Sequence, residues 1–260
     1  MSTATAPTLI NIDNVSKQYG SGLIAVRDMS LKIEQGQFVS FLGPSGCGKS
    51  TALRMIAGLT SVSTGQIRFG GEDHGPQDIG FVFQEPTLMP WATVFNNVYL
   101  PLRLAGVSRK KAEPRVEDAL AQVGLSKFAK SYPRELSGGM KMRVSIARAL
   151  VTRSRLLLMD EPFAALDEMT RFKLNNDVLR LWQEYNLTVI FVTHSVYESV
   201  YLSNRVVVMA ARPGRVVSDI EIQAPYPRAE NFRNTPEYAN YCAVVSDALN
   251  ETLDTGDINH

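Results

Sequence analysis

Cysteine is scarce in this 260-residue chain. Only Cys47 and Cys242 are present, at no metal-like spacing, which excludes a disulfide-stapled scaffold and fits a reducing compartment. Long apolar runs are missing as well. Stretches such as Leu156-Leu157-Leu158-Met159 and Val206 to Ala211 fall far short of the ~20 residues a membrane-spanning helix needs, and they suit buried strands. Met1 to Leu9 carries neither a basic n-region nor an apolar h-region, so export is not expected, and a role at a membrane would need a partner that spans it. Strong charge of one sign is also lacking: 27 Lys+Arg against 26 Asp+Glu leave +1, too balanced for the electrostatic footprint of a nucleic-acid binder. What remains, 45% apolar and 20% charged with no internal repeat, is enough for one sizeable core and a smaller lobe.

Short Val-, Ile-, Leu- and Phe-rich runs alternate with longer helical patterns, as in a parallel sheet flanked by helices. The candidate strands are Phe38 to Leu42, Leu156 to Asp160, Thr188 to Thr193 and Arg205 to Ala210, the last of the chain. Glu168 to Tyr185 reads as a crossover helix whose Leu174, Val178, Leu181 and Tyr185 share one face. Before Gly36, Leu9 to Lys17 and Ile24 to Ile33 alternate around a Gly20-Ser21-Gly22 turn and read as an antiparallel β flap. From about residue 88 to 152 helix formers dominate, so a helical subdomain is expected to be inserted into the α/β core. The segment Arg103 to Arg155 holds thirteen basic residues against four acidic ones. It reads first as a solvated helix face, with an anionic surface such as lipid headgroups or nucleotide phosphates as the functional alternative. A main domain over 1–220 is followed by a short acidic tail over 221–260, to which no chemistry is assigned.

Gly43-Pro44-Ser45-Gly46-Cys47-Gly48-Lys49-Ser50-Thr51 follows an apolar strand and opens a helical run closed by Gly58, the context a phosphate-binding loop requires. Glycines let successive N–H groups and a helix N-terminus face phosphate oxygens, Lys49 adds a point charge at the β/γ-phosphates, and the Ser50 hydroxyl suits Mg²⁺. Cys47 occupies a free loop position and reads as packing, not as a catalytic thiol. Leu156 to Pro162 is an apolar strand ending in two adjacent carboxylates. Asp160 is the Mg²⁺ partner, since that hard ion takes oxygen ligands, and Glu161, pointing elsewhere, is placed to activate a water.

Leu136-Ser137-Gly138-Gly139-Met140 resembles the signature motif of ATP-binding cassette (ABC) ATPases, and other motifs match in order. Tyr19 in Lys17-Gln18-Tyr19-Gly20 resembles the residue that stacks on adenine, Gln84 in Phe81-Val82-Phe83-Gln84 the Q-loop, Ala165-Leu166-Asp167 the D-loop, and His194 the switch histidine. Met140 and Met142 stand where the family commonly has Gln, and Ser195 where an Asp often follows the histidine. Ser137 can cap the following helix, with bare N–H groups at Gly138 and Gly139 forming an anion site.

The resemblance implies a phosphate-loop (RecA-like) fold and an ATPase using ATP and Mg²⁺. Glu161, His194, Gln84 and Lys49 would be catalytic, and Ser50, Gln84 and Asp160 would hold the metal. Tyr19, the loop Gly43 to Thr51 and Asp167 would contact nucleotide, with Ser137 and Gly139 reaching the nucleotide of a second copy. Ala211-Arg212-Pro213-Gly214-Arg215-Val216 resembles the nitrate, sulfonate and taurine importer group, which also includes pyrimidine-precursor carriers. The implied protein is therefore the ATP-hydrolysing subunit of a bacterial importer at the cytoplasmic face of the cell membrane. Its permease would dock near Gln84 to Val94, where Trp91 and Met89 suit a groove, and a periplasmic or lipoprotein substrate-binding protein would act indirectly, with no nucleic acid. A soluble non-transport ABC ATPase of the DNA-repair or translation type is the alternative.

Overall fold

The fully apolar character of Phe38 to Leu42, broken only by Ser40, leaves that segment no face to turn toward water, and it forms a strand buried at every residue. The structure, a computed structural model, describes residues 6–70, 79–229 and 231–254. In chain order the elements are β1 (Thr8–Gln18), β2 (Ile24–Glu34), β3 (Phe38–Leu42), α1 (Lys49–Ile56), β4 (Thr64–Phe69), β5 (Ile79–Val82), α2 (Val94–Leu104), α3 (Arg109–Gln122), α4 (Gly138–Leu150), β6 (Leu156–Asp160), α5 (Glu168–Tyr185), β7 (Thr188–Thr193), α6 (Val196–Leu202), β8 (Arg205–Ala210), β9 (Arg215–Glu221) and α7 (Pro236–Asp254). Two compact units result, residues 1–77 with 188–260, and residues 78–187.

In the first unit β3 lies between β7 and β8, parallel to both, with Leu42 opposite Thr193 on one side and Val208 on the other. Such central strands need hydrophobic faces on both sides, and Phe38, Phe41 and Phe191 are fully buried. The one polar core residue of β3, Ser40, meets the hydroxyl of Ser203, so neither is buried without a partner. β8 is not the final strand: Arg215–Glu221 returns antiparallel to it as β9. The mixed burial of β9, half polar, hides it from a search for continuous apolar runs. The flap is a separate antiparallel sheet in which β1 pairs with both β2 and β4, and Met29, Leu31 and Ile33 alternate inward along β2.

In the acid-rich stretch after Glu221, aromatics and arginines supply anchoring contacts, among them Arg233 over the Tyr201 ring. Arg228 stacks 3.8 Å from the Tyr226 ring centre and donates to the carbonyls of Ala224 (2.6 Å) and Ser203 (2.9 Å). On α7, Tyr238 is buried and its hydroxyl donates to the Tyr197 carbonyl at 2.9 Å.

In the second unit β5 and β6 form a parallel pair, Val82 opposite Met159, with α4 packed on β5 and on α2, α3 and α5. On α5, Leu174, Val178 and Leu181 are buried, but Tyr185 is 39% exposed and does not continue their stripe; Trp182 does. Tyr185 is the last helical residue and its hydroxyl donates to Glu184, so the polar tip stays near water. The basic segment is only partly a solvated face. Arg115 donates to the Val151 carbonyl (2.7 Å), and Arg143 to the Val123 carbonyl (3.0 Å) while pairing with Asp177.

Replacing the fully buried Phe41 of β3 by Ala should cost about 3–5 kcal/mol, read as a lowered urea midpoint at unchanged slope. A loss below about 1 kcal/mol would mean that the strand does not sit in the main core.

Candidate functional site

The loop from Gly43 to Gly48 leaves the end of β3 and turns directly into α1. Gly48 caps that helix with φ +87°, and a Cβ there would press on the Ala25 carbonyl oxygen at 2.5 Å and the Val26 side chain at 2.9 Å. At Gly43 a Cβ would collide with the Met209 carbonyl oxygen, and at Gly214 with the carbonyls of Cys47 and Ala25. Gly46, at φ +78°, has open space around it. The first three glycines therefore permit backbone to lie on backbone, and the fourth stands exposed in the left-handed region, which favours glycine. Gly214 also donates to the Ala25 carbonyl at 3.2 Å, and its own carbonyl accepts from Arg27 at 2.7 Å. Within the segment Ala211 to Val216, Gly214 thus lies against the loop, a role that the sequence pattern did not reveal because it depends on contacts between residues far apart in the chain.

Lys49 is buried, and its ammonium donates to the carbonyls of Gly43 (2.8 Å) and Pro44 (3.0 Å). Ser45 and Gly46 are exposed, while Pro44, Ser50 and Thr51 are half-buried. The Cys47 thiol is buried, which pushes its pKa up against the opposing pull of Lys49. His194, exposed, follows Thr193 at the end of β7, so it emerges one residue beyond the partner of Leu42 and beside the strand that feeds the loop. The Thr193 hydroxyl donates to Glu198 at 2.7 Å and accepts the Ser195 N–H at 3.0 Å, a brace on both sides of the histidine. Tyr19 follows β1 and is 38% exposed; the Lys17 ammonium lies 5.3 Å from its ring centre and donates to the Ser61 carbonyl at 2.7 Å.

The second unit holds the other candidates. Asp160 ends β6 and is buried, whereas Glu161 is half-buried with φ +44°. A glutamate in the left-handed region is uncommon and turns the chain sharply, so Glu161 does not continue the strand that Asp160 ends. Gln84 is exposed and leaves β5 on the same side, since Val82 pairs with Met159. Ser137 caps α4 by accepting the Met140 N–H at 3.3 Å. A Cβ on Gly138 would touch Leu166 at 3.4 Å, and one on Gly139 would meet the Thr170 methyl at 2.5 Å, so the signature glycines rest against the segment that starts α5. Asp167 caps that helix by accepting the Thr170 N–H at 2.9 Å, which holds its carboxyl below the usual range, and Arg171 donates to the Leu166 carbonyl at 3.1 Å. Glycine-lined loop, lysine, hydroxyl, buried strand-end carboxylate and capped glycine pair are the donors and acceptors that phosphoryl chemistry uses.

Residues 26–164 match the ABC transporter family. The chain belongs to it. An ABC transporter chain of this kind is an ATPase, and the matched span contains the phosphate loop, Gln84, Ser137 to Gly139, Asp160 and Glu161. Among relatives, an ATP-binding protein of Brucella abortus is 48% identical over 88% of this chain and 89% of its own length. The aliphatic sulfonates import ATP-binding protein SsuB of Bacillus cereus is 43% identical over 88% and 92%, and the taurine import ATP-binding protein TauB of Rhizobium johnstonii 39% over 95% and 98%. Among solved structures, cbiO1 of Clostridium perfringens, part of the ABC transporter complex cbiONQ, superposes with TM-score 0.75 at 27% identity, covering 83% of this chain and 89% of that one. The dimeric cassette MJ0796 bound to ADP and Pi superposes with TM-score 0.72 at 32% identity, covering 84% and 100%. These neighbours are ABC cassettes of the phosphate-loop, RecA-like type, in agreement with the fold expected for an ABC transporter ATPase.

Because burial raises the Cys47 thiol pKa, the reactive thiolate is depleted at neutral pH. Iodoacetamide at pH 7.5 should modify Cys47 at least about tenfold more slowly in the folded chain than in urea, followed by peptide mass spectrometry. Equal rates would show that the thiol is not sealed beneath the loop.

Proposed function

We propose that this chain is the ATP-hydrolysing subunit of a bacterial importer that drives uptake of a small solute, of the nitrate, sulfonate, taurine or pyrimidine-precursor type, through a separate membrane permease. The observation that carries the hydrolytic part is the turn at Asp160-Glu161, where a buried carboxylate and a left-handed glutamate end one strand. The SsuB and TauB relatives support the importer part.

The residues fit a nucleotide and its metal. Ser45 and Gly46 are exposed and α1 begins directly after Gly48, so the loop and a helix N-terminus are available to phosphate oxygens. Among the described residues no three His, Cys, Asp or Glu side chains are grouped to hold a metal by themselves. That suits Mg²⁺, which takes one or two carboxylates and completes its shell with hydroxyl, amide, water and phosphate oxygens. Ser50, Gln84 and Asp160 are such oxygen donors, and the bound ion would supply charge neutralisation between β- and γ-phosphates.

Lys49 contributes its fixed positive charge at the same phosphates, and Tyr19 a ring face to the adenine. Glu161 accepts the proton of the attacking water, His194 orients the γ-phosphate, and Gln84 senses it. Ser137 and Gly139 direct their helix terminus at the nucleotide of a second copy, with Asp167 beside them, so the working unit is a dimer. The dimeric MJ0796 cassette bears on this reading.

No described helix is long and apolar enough to cross a membrane; on this reading the membrane-spanning permease is a partner chain. Its docking place is the segment Gln84 to Val94. Trp91 is 76% exposed and, with Met89, Tyr99, Leu100, Arg103 and Arg109, lines a cavity of about 410 Å³. An apolar wall with two arginines suits a short helix bearing apolar residues and a carboxylate. In this proposal the ATPase works at the cytoplasmic face of the membrane, and a substrate-binding protein acts on it only through the permease.

Glu161→Gln should bind ATP normally, accumulate as a dimer in gel filtration with ATP, and hydrolyse about 10²–10⁴-fold more slowly; near-normal turnover would remove the assignment. Trp91→Ala should leave ATPase activity of the free subunit within about twofold while solute uptake by the assembled transporter falls at least about tenfold, since one buried interface aromatic commonly carries that much. Intact uptake would move the docking place elsewhere.

A further inference from the structure

We propose that Arg148 is a positioning residue that locks the segment following Gln84 to the helix beginning at the signature glycines, so that the two move as one piece. The inference rests on the ATPase reading of this site and adds a residue to which that reading gives no part.

Arg148 lies on α4, ten residues beyond Gly138 and therefore about 15 Å along the axis from the signature end. Its guanidinium donates through Nη1 to the Thr87 carbonyl (2.9 Å) and through Nη2 to the Pro86 carbonyl (2.8 Å) and the Thr87 hydroxyl (2.9 Å). A planar fork can satisfy these acceptors together; the point charge of a lysine cannot hold the same geometry. Thr87 has φ +46°, a conformation that β-branched residues rarely adopt, and both its carbonyl and its hydroxyl are held by Arg148.

A second clamp grips the same segment a few residues on. Asn97 of α2 is fully buried, accepts the Met89 N–H at 2.7 Å and donates to the carbonyls of Met89, Ala92 and Thr93 at 3.0–3.2 Å. From Pro86 to Thr93 the chain is thus pinned to α4 at one end and α2 at the other, with Trp91 standing out between the pins. Such a strap has no slack. A displacement at Trp91 is passed to α4, whose first turn packs against Leu166 and Thr170, and a displacement of α4 is passed back to Trp91.

The chain has two tryptophans, Trp91 and the buried Trp182, so Trp182→Phe leaves Trp91 as the sole reporter. In that background MgATP should shift the Trp91 emission. Adding Arg148→Met should abolish the shift, leave ATP affinity within about twofold, and lower kcat about 10- to 100-fold at unchanged KM, the scale of a misplaced catalytic geometry. Arg148→Lys, which keeps the charge and loses the fork, should fall between, and it carries the comparison if the methionine variant does not fold. A retained shift and normal kcat in these variants would overturn the proposal, as would ATP binding by the parent without any shift. A loss of thermal stability with kcat unchanged would overturn it too, by reducing Arg148 to a structural role. Failure of the parent to bind ATP would strike instead at the ATPase reading.

Discussion

Backbone lying directly on backbone beneath the phosphate loop is the constraint on which the rest of the first unit depends. Gly43 meets the Met209 carbonyl, Gly48 the Ala25 carbonyl, and Gly214 the carbonyls of Cys47 and Ala25, each at a distance that no Cβ tolerates. A loop whose Ser45 and Gly46 are exposed is not stiffened from that side, so its rigidity has to come from underneath. Side chains would be a poor support, because they hop between rotamers; three peptide groups in contact are not free to do so. The same crowding seals Cys47 and holds Lys49 within reach of the loop's own carbonyls. It also joins the flap strand β2 to the β8–β9 turn at Val26 and Gly214, so the loop position reports on both.

Charged groups in the second unit are set by a related device, the abrupt end of a fully apolar strand. β6 is buried at all five positions and stops at Asp160, followed at once by the left-handed backbone of Glu161. A residue in that region cannot extend the ladder, so the alternation of side chains along β6 ends at the buried Asp160.

Much of this was legible in the residues. The strands β3, β6, β7 and β8 and the helix α5 coincide with the runs read from periodicity, because fully buried parallel strands have no polar face to blur the pattern. β4, β5 and β9 were not legible: each is short or half-exposed, and its identity depends on a partner strand that periodicity cannot see. Tyr185 fails its expected place because helical spacing defines a face but not where the helix ends. For the site, Gly43 to Thr51 could be placed from spacing alone, since the phosphate-loop chemistry demands those residue types in that order. Gly214 could not, since its importance lies in a contact 167 residues distant from Cys47 in the chain.

The near-zero net charge hides how the arginines are used. A guanidinium has five donors and no acceptor, and in this protein those donors go repeatedly to backbone carbonyls, even where an acid is also bound, as Asp177 is by Arg143 and Asp219 by Arg205: Arg115 to Val151, Arg143 to Val123, Arg148 to Pro86 and Thr87, Arg228 to Ala224 and Ser203, and Arg205 to Lys32. Each of these carbonyls lies outside the partnerships of a regular helix or sheet interior, at a helix end, a strand edge or a loop. A carbonyl in such a place needs a donor that arrives from another element, and arginine is long enough to bring one while burying its stem. Burial lowers the pKa of Arg148 and Arg228, yet a guanidinium starts so far above neutrality that the charge survives and strengthens every bond it makes. In the helical region Arg115, Arg143 and Arg148 therefore spend their charge on irregular backbone segments that the helices must hold, and a count of basic residues overstates the surface charge by at least these three.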